Sequence, residues 1–367
     1  MRRYIPKSVE ELAQWYMRYI SPLSLVAGFI VDTLFLTRRV DLFLTNALLS
    51  SYLVIAALGI FVINLIQHGI LRQRFYLKIL PLLPVVAQFA FGGLFSAYLS
   101  LYSRSAAVSV SWIFIVVLVI LMVANERFAH FYSRFLVQIS LYFTVLFSFL
   151  IFFLPVVLHR IGPWMFIASG VLALATMAGF LALLFRVIPQ MCERRTPAAV
   201  AIGMIFVIFN LLYFTNAIPP LPLALKGAQI YHSVMRNADG GYTLRGEPLA
   251  WHQKYLNYAP IFHRTPGAAV YALSSIFAPS GLSTEILHEW QFYDPVQRRW
   301  NTTNTVSFPI RGGRDGGFRG YSEKIDPVAG AWRVNVITQY GQLIGRISFT
   351  VVGATSTPPL VESTDLP

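Results

Sequence analysis

Apolar residues run through the first two thirds of the chain in long unbroken blocks, and through the last third in short alternating ones. The blocks fall at about 20–36, 42–66, 79–102, 108–124, 136–158, 163–185 and 199–218. Each approaches the ~20 apolar residues that a helix needs to cross hydrocarbon, where the backbone finds no hydrogen-bond partner outside its own helix. Seven blocks predict seven transmembrane helices. Ahead of them, Ser8 and Glu11 have capping-box spacing, and Val9, Leu12, Tyr16 and Tyr19 share a helical face. Residues 1–19 therefore read as a short helix lying at the cytoplasmic interface. No small-residue cleavage site follows a short apolar core, so the first span is expected to remain as an anchor.

Beyond the prolines 219, 220 and 222 the period changes from blocks to alternation. Trp332, Val334 and Val336 alternate with Arg333 and Asn335, and a second run carries Leu343, Ile347, Phe349 and Val351, with Tyr340-Gly341 as a hairpin turn between them. Further strands are expected at about 269–278, 282–292, 302–310 and 318–325. Short strands with turn signals at this spacing predict an all-β antiparallel sandwich of the Ig-like kind over residues 269–353. Residues 219–268 read as a juxtamembrane linker with a hairpin around Asp239-Gly240-Gly241, and 354–367 as a flexible tail. The fold class is thus a polytopic α-helical membrane bundle over 20–218 followed by a β-sandwich domain.

Composition agrees. The 367 residues are 56% hydrophobic and 12% charged, against about 25% charged in a soluble domain. The mean hydropathy is +0.59. A net charge of +13 invites a nucleic-acid partner, yet residues 1–226 hold 17 Lys and Arg against 6 Asp and Glu, and these punctuate apolar blocks instead of lining one soluble face. No nucleic acid is expected. Twelve of these cations fall in one set of alternate loops, from Arg2 to Arg195, and four in the other: Arg38, Arg39, Arg104 and Arg160. Cytoplasmic loops keep the positive charge, so the N-terminus is placed in the cytoplasm and the β domain on the opposite side. The single cysteine, Cys192, excludes a disulfide framework and a cysteine-cluster metal site.

Candidate chemistry is sparse. Asp32 is the one carboxylate within a span, and Arg39 follows on the same helical face. The pair reads either as an interfacial ion pair or as the ionisable centre of a carrier. Amides at Asn46, Asn64, Gln88, Gln138 and Asn210 read as ties between helices. In the β domain, His288, Trp290, Arg311, Arg314, Arg319, Tyr321 and Trp332 cluster around the glycine-rich run 311–319. Arginine forks suit carboxylate or phosphate, aromatic rings suit a sugar face, and glycines free backbone N–H groups for an anion. The alternative is structural: a bulged turn, arginines paired with neighbouring carboxylates, and Trp332 as core anchor. No catalytic, P-loop or metal-binding spacing is present, so neither cofactor nor metal is expected.

The run His288-Glu289-Trp290, the segment from Ile310 to Arg314 with Gly317-Phe318-Arg319 and Tyr321-Ser322, and the segments Gly330 to Val334, Gly341-Gln342 and Gly345-Arg346 resemble the bacterial domain of unknown function 2914. The resemblance covers about residues 270–352. The membrane part, with Gly28 to Asp32 and Arg38 to Asp41, is similar to the polytopic region catalogued as domain of unknown function 5924. The two together imply a proteobacterial inner-membrane protein with a periplasmic C-terminal domain, and they carry no activity, substrate or catalytic residue. The expectation is a non-enzymatic envelope protein in the bilayer whose β-sandwich binds an anionic glycan, lipid headgroup, peptide carboxylate or partner protein. The alternatives are a carrier or intramembrane enzyme built on Asp32, and a structural subunit of an envelope complex.

Overall fold

The computed structural model describes residues 41–105, 108–127, 134–238, 241–248, 259–356 and 358–364, with Glu11, Trp15, Phe29 and Ile30. Apart from those four residues, the expected interfacial helix over 1–19 and the first expected span at 20–36 lie outside the described residues, as do Asp32 and Arg39. The chain divides into two compact units, a helical one over 1–103 and 111–218 and a β-rich one over 219–367 that also takes in 104–110.

The described helices are α1 (Phe43–Gln67), α2 (Arg74–Ile79), α3 (Leu83–Ser105), α4 (Val108–Arg127), α5 (Phe135–Leu158), α6 (Pro163–Val187) and α7 (Arg195–Phe214). Five described stretches are long and apolar enough to cross a membrane: Phe43–Gln67, Arg74–Ser103, Phe135–Leu158, Pro163–Val187 and Pro189–Phe214; Trp112–Ala124 is shorter. The block expected at 79–102 begins earlier, at Arg74, and is broken by a 3₁₀ turn at Leu80–Leu82, because Pro81 has no N–H to continue the α ladder.

The helical unit is apolar outside as well as inside. Phe43, Val54, Phe89, Val171, Val207 and Leu211 are all exposed, whereas a face turned to water would carry charge. Polar groups are instead turned inward. Asn64 Nδ2 on α1 donates to Gln138 Oε1 on α5 at 2.7 Å, Tyr98 OH on α3 donates to the Val145 carbonyl at 2.9 Å, and Ser169 Oγ on α6 donates to the Leu150 carbonyl at 2.9 Å. These bonds join helices at depths where an unpaired polar group is costly. Gly93 lies so close to the Tyr52 ring that an added Cβ would sit 2.7 Å away.

The β unit contains β1 (Ala224–Tyr231), β2 (Ser233–Arg236), β3 (Tyr242–Gly246), β4 (Ile261–Arg264), β5 (Ala269–Phe277), β6 (Ser283–Asp294), β7 (Arg299–Arg311), β8 (Phe318–Ile325), β9 (Gly330–Thr338), β10 (Leu343–Gly353) and β11 (Val361–Ser363). They form a five-stranded sheet in the order β4-β10-β9-β6-β7, a central sheet β1-β5-β8 and a small sheet β11-β3-β2. The strands expected over 269–353 appear as β5 to β10. Two expectations are corrected. Residues 219–268 and 354–367 supply β1 to β4 and β11, so the linker and the tail contribute strands to the sheets. The pairing is also not wholly antiparallel, since β4 lies parallel to β10. Strands β2 and β3 pair as the expected hairpin; Asp239 and Gly240 at its tip lie outside the described residues.

Alternation explains the layering. Ile230, Val270, Ala272, Trp290, Trp332, Val334, Ile347 and Phe349, contributed by both larger sheets, bury one shared core. The opposite face of the central sheet buries Tyr231 and Leu273 against Val234 and Leu244 of the small sheet.

Candidate functional site

The glycine-rich run is a turn built for close approach. A Cβ on Gly312 would collide with the Pro279 carbonyl, and Gly317 holds φ 80°, which only glycine adopts readily. Arg311 and Arg314 are exposed on this turn, with the Arg314 guanidinium 5.7 Å from the centre of the Phe318 ring.

Inward-facing positions place the other candidates differently. His288, Trp290 and Trp332 lie in the core, each at most 2% exposed. His288 Nε2 is 2.7 Å from Ser274 Oγ on β5, its Nδ1 is 2.9 Å from Ser322 Oγ on β8, and Trp290 Nε1 donates to the same Ser322 oxygen at 2.9 Å. One assignment uses every group once: the Ser322 hydroxyl accepts from Trp290 and donates to Nδ1, leaving His288 protonated on Nε2 and donating to Ser274. Burial pushes the His288 pKa down to about 3, so the ring is neutral. Phe308 seals the edge, its ring 4.9 Å away. This is a satisfied interior network that fastens the central sheet to the five-stranded one.

Arg319 and Tyr321, both on β8, are brought together on the other face of the central sheet. Tyr321 is 41% exposed and stands 6.2 Å from the Tyr242 ring and 6.3 Å from the Tyr271 ring. Tyr242 OH donates to the Arg319 carbonyl at 3.4 Å, and Arg319 Nη1 donates to the Thr364 carbonyl at 3.4 Å. Glu323 faces Tyr271 across the β5–β8 pair; a hydrogen bond between them raises the Tyr271 pKa. Beneath the patch, burial pushes the Tyr231 phenol up to about 12, although the Arg319 charge opposes the shift. The candidate set is thus divided among the turn, the core and this tyrosine face.

Sequence reasoning missed a third constellation. Glu247 Oε1 lies 3.0 Å from His232 Nε2 and accepts from the His263 backbone N–H at 2.7 Å, while its Oε2 lies 2.8 Å from His263 Nδ1. Burial would raise the Glu247 pKa, but the hydrogen bonds from His263 and His232 outweigh it and hold the carboxyl below its ordinary value. The carboxylate pins β4 to the corner between β1 and β2. These residues are 15 and 16 apart in sequence, with no periodic signal to link them. Among the described residues no group of His, Cys, Asp and Glu is arranged to hold a metal ion.

Residues 283–351, from β6 into β10, match the family described as "Protein of unknown function (DUF2914)". No curated protein matches the chain. Among solved structures, the Pseudomonas fluorescens alkylpurine DNA glycosylase AlkC bound to DNA containing an abasic site analog aligns over 82% of this chain and 96% of that one. The identity is 9% and the TM-score 0.19, too low to argue for a shared fold.

Proposed function

We propose that this chain is a bacterial inner-membrane protein whose seven spans, with a cytoplasmic N-terminus, present an Ig-like β-sandwich to the periplasm, and that the β domain binds an anionic glycan without catalysing a reaction. The observation that carries this reading is the tyrosine face. Tyr271 and Tyr321 on the central sheet and Tyr242 on the small sheet turn rings toward one another beside Arg319. Phenol rings offer apolar plates for the C–H faces of a sugar and hydroxyls for its oxygens, while a guanidinium selects an acidic substituent.

The test is a titration of the full chain, purified in detergent, with oligosaccharides bearing uronic acids and with their neutral counterparts. Tyr321→Ala and Arg319→Ala are each expected to weaken acidic-glycan binding about tenfold at an unchanged thermal midpoint. Equal affinity for neutral and acidic sugars, or indifference to both substitutions, sinks the reading. A reporter fused after Pro367 is expected to be active only in the periplasm.

A further inference from the structure

The outer face of the five-stranded sheet carries an organised polar layer on the side away from the Trp290 core. Strand register sets two rows across it. Glu289, Asn335 and Arg346 stand directly opposite one another on β6, β9 and β10; beside them Thr302, Gln291, Arg333 and Ser348 form a second row across four strands.

Hydrogen bonds run through these rows from one hub. Glu289 Oε2 accepts from Asn335 Nδ2 at 2.8 Å and from Gln291 Nε2 at 3.0 Å, while Oε1 accepts from Thr302 Oγ1 at 3.0 Å. Each amide is thereby turned so that its oxygen faces an arginine. Gln291 Oε1 accepts from Arg333 Nε at 2.6 Å, and Asn335 Oδ1 accepts from Arg346 Nε at 2.7 Å. Arg333 also lies over Trp300, its guanidinium carbon 4.3 Å from the ring centre. Both guanidiniums are held by Nε alone. Among the described residues neither has an acceptor for its Nη nitrogens or a carboxylate in salt-bridge range.

Two cations fixed through their stems, on diagonal positions of adjacent strands, are about 7–8 Å apart at Cα, close enough for both forks to reach one ligand. We propose that Arg333 and Arg346 form an oxyanion site that takes a phosphate group. The charge balance favours an anion, with two guanidiniums against the one Glu289 carboxylate, itself occupied by three donors. The geometry favours phosphate over carboxylate. A carboxylate has two oxygens and satisfies one fork, whereas a phosphate has enough oxygens for both. Ser348, exposed and directly opposite Arg333, adds a hydroxyl donor at the rim. Desolvation lowers the pKa of both arginines, and the Arg346 charge lowers that of Arg333 further while Glu289 opposes it; a bound anion relieves the repulsion.

The site lies on a different sheet from the tyrosine face, so either can fail alone. The experiment uses the full chain in a maltoside detergent, which contributes no phosphate, and follows ³¹P line broadening on titration with inorganic phosphate and, separately, with the soluble diester glycerophosphoglycerol. Saturable binding of both supports a general phosphate site; binding of the diester alone supports a phospholipid headgroup as the source. Acetate is expected to compete at least tenfold more weakly than phosphate. Arg333→Gln with Arg346→Gln is expected to weaken binding at least tenfold, and Arg311→Gln to leave it unchanged. Should the double variant fail to fold, Ser348→Glu decides, because it keeps both arginines and adds a carboxylate to the same face, directly opposite Arg333 in the ladder; binding is then expected to be lost. Binding of neither probe, equal competition by acetate, or wild-type affinity in Ser348→Glu overturns the proposal.

Discussion

Trp290 on β6 donates its indole N–H to Ser322 Oγ on β8, a 2.9 Å bond that crosses the core between two sheets sharing no ladder. His288 meets the same oxygen from the other side. A single hydroxyl therefore satisfies two buried groups. Removing it by Ser322→Ala strands both, and an unsatisfied buried polar group costs about 1–3 kcal/mol. The β unit of Ser322→Ala is expected to unfold several degrees below wild type when followed by tryptophan fluorescence in detergent; an unchanged midpoint would show that the network contributes nothing.

His288 predicts an acid dependence. Its pKa in the fold is about 3, below the ordinary value near 6.5, so the neutral ring is the folded form. That contribution is complete above pH 6.5 and declines as pH falls from there toward 3, because the unfolded chain takes up the proton first, with a slope of up to about 1.4 kcal/mol per pH unit. Thermal midpoints measured between pH 8 and 5 should fall in wild type. In His288→Asn, which starts less stable, the decline over that window should flatten.

Glu247 acts in a lower window. Its carboxyl is held below its ordinary value, so its stabilisation is present above about pH 4 and is lost only as pH drops through the folded value. At neutral pH, Glu247→Ala is expected to speed hydrogen exchange at the His263 amide by at least tenfold, since that N–H loses its acceptor. Exchange at Trp290 and Val334 should not change. Uniform acceleration across the sheet would mean that Glu247 supports the whole unit and not only β4.

The Asn64–Gln138 bond is expected to behave as a coupled pair. Asn64→Leu removes the Asn64 donor from Gln138 Oε1, on a residue 0% exposed, and should destabilise the bundle by about 1 kcal/mol, while the double change to leucine should recover most of the loss. Denaturation in mixed micelles measures both. Additive losses would show that the two amides are independent.

What the amino-acid sequence determined was whatever depends on short range. Apolar blocks of membrane-spanning length located the described helices, period-two alternation located β9 and β10, and turn signals marked off β5 to β8, with ends shifted by a few residues, because helix length and strand facing follow from neighbours in the chain. It also set Arg319 and Tyr321 within one expected strand, at about 318–325, without assigning their face. Register and stacking belong to the tertiary structure. Only the pairing of β9 with both β6 and β10 sets Arg333 diagonal to Arg346, with Gln291 and Asn335 behind them. His288 reads as a candidate ligand residue until β5 and β8 close over it. Strands β1 to β4 gave little alternation to read, since each is short or lies on a central sheet buried on both faces, and the parallel β4 pairs with a strand about 90 residues away. Contacts made over such separations carry no periodic trace, and they decide which polar side chains meet.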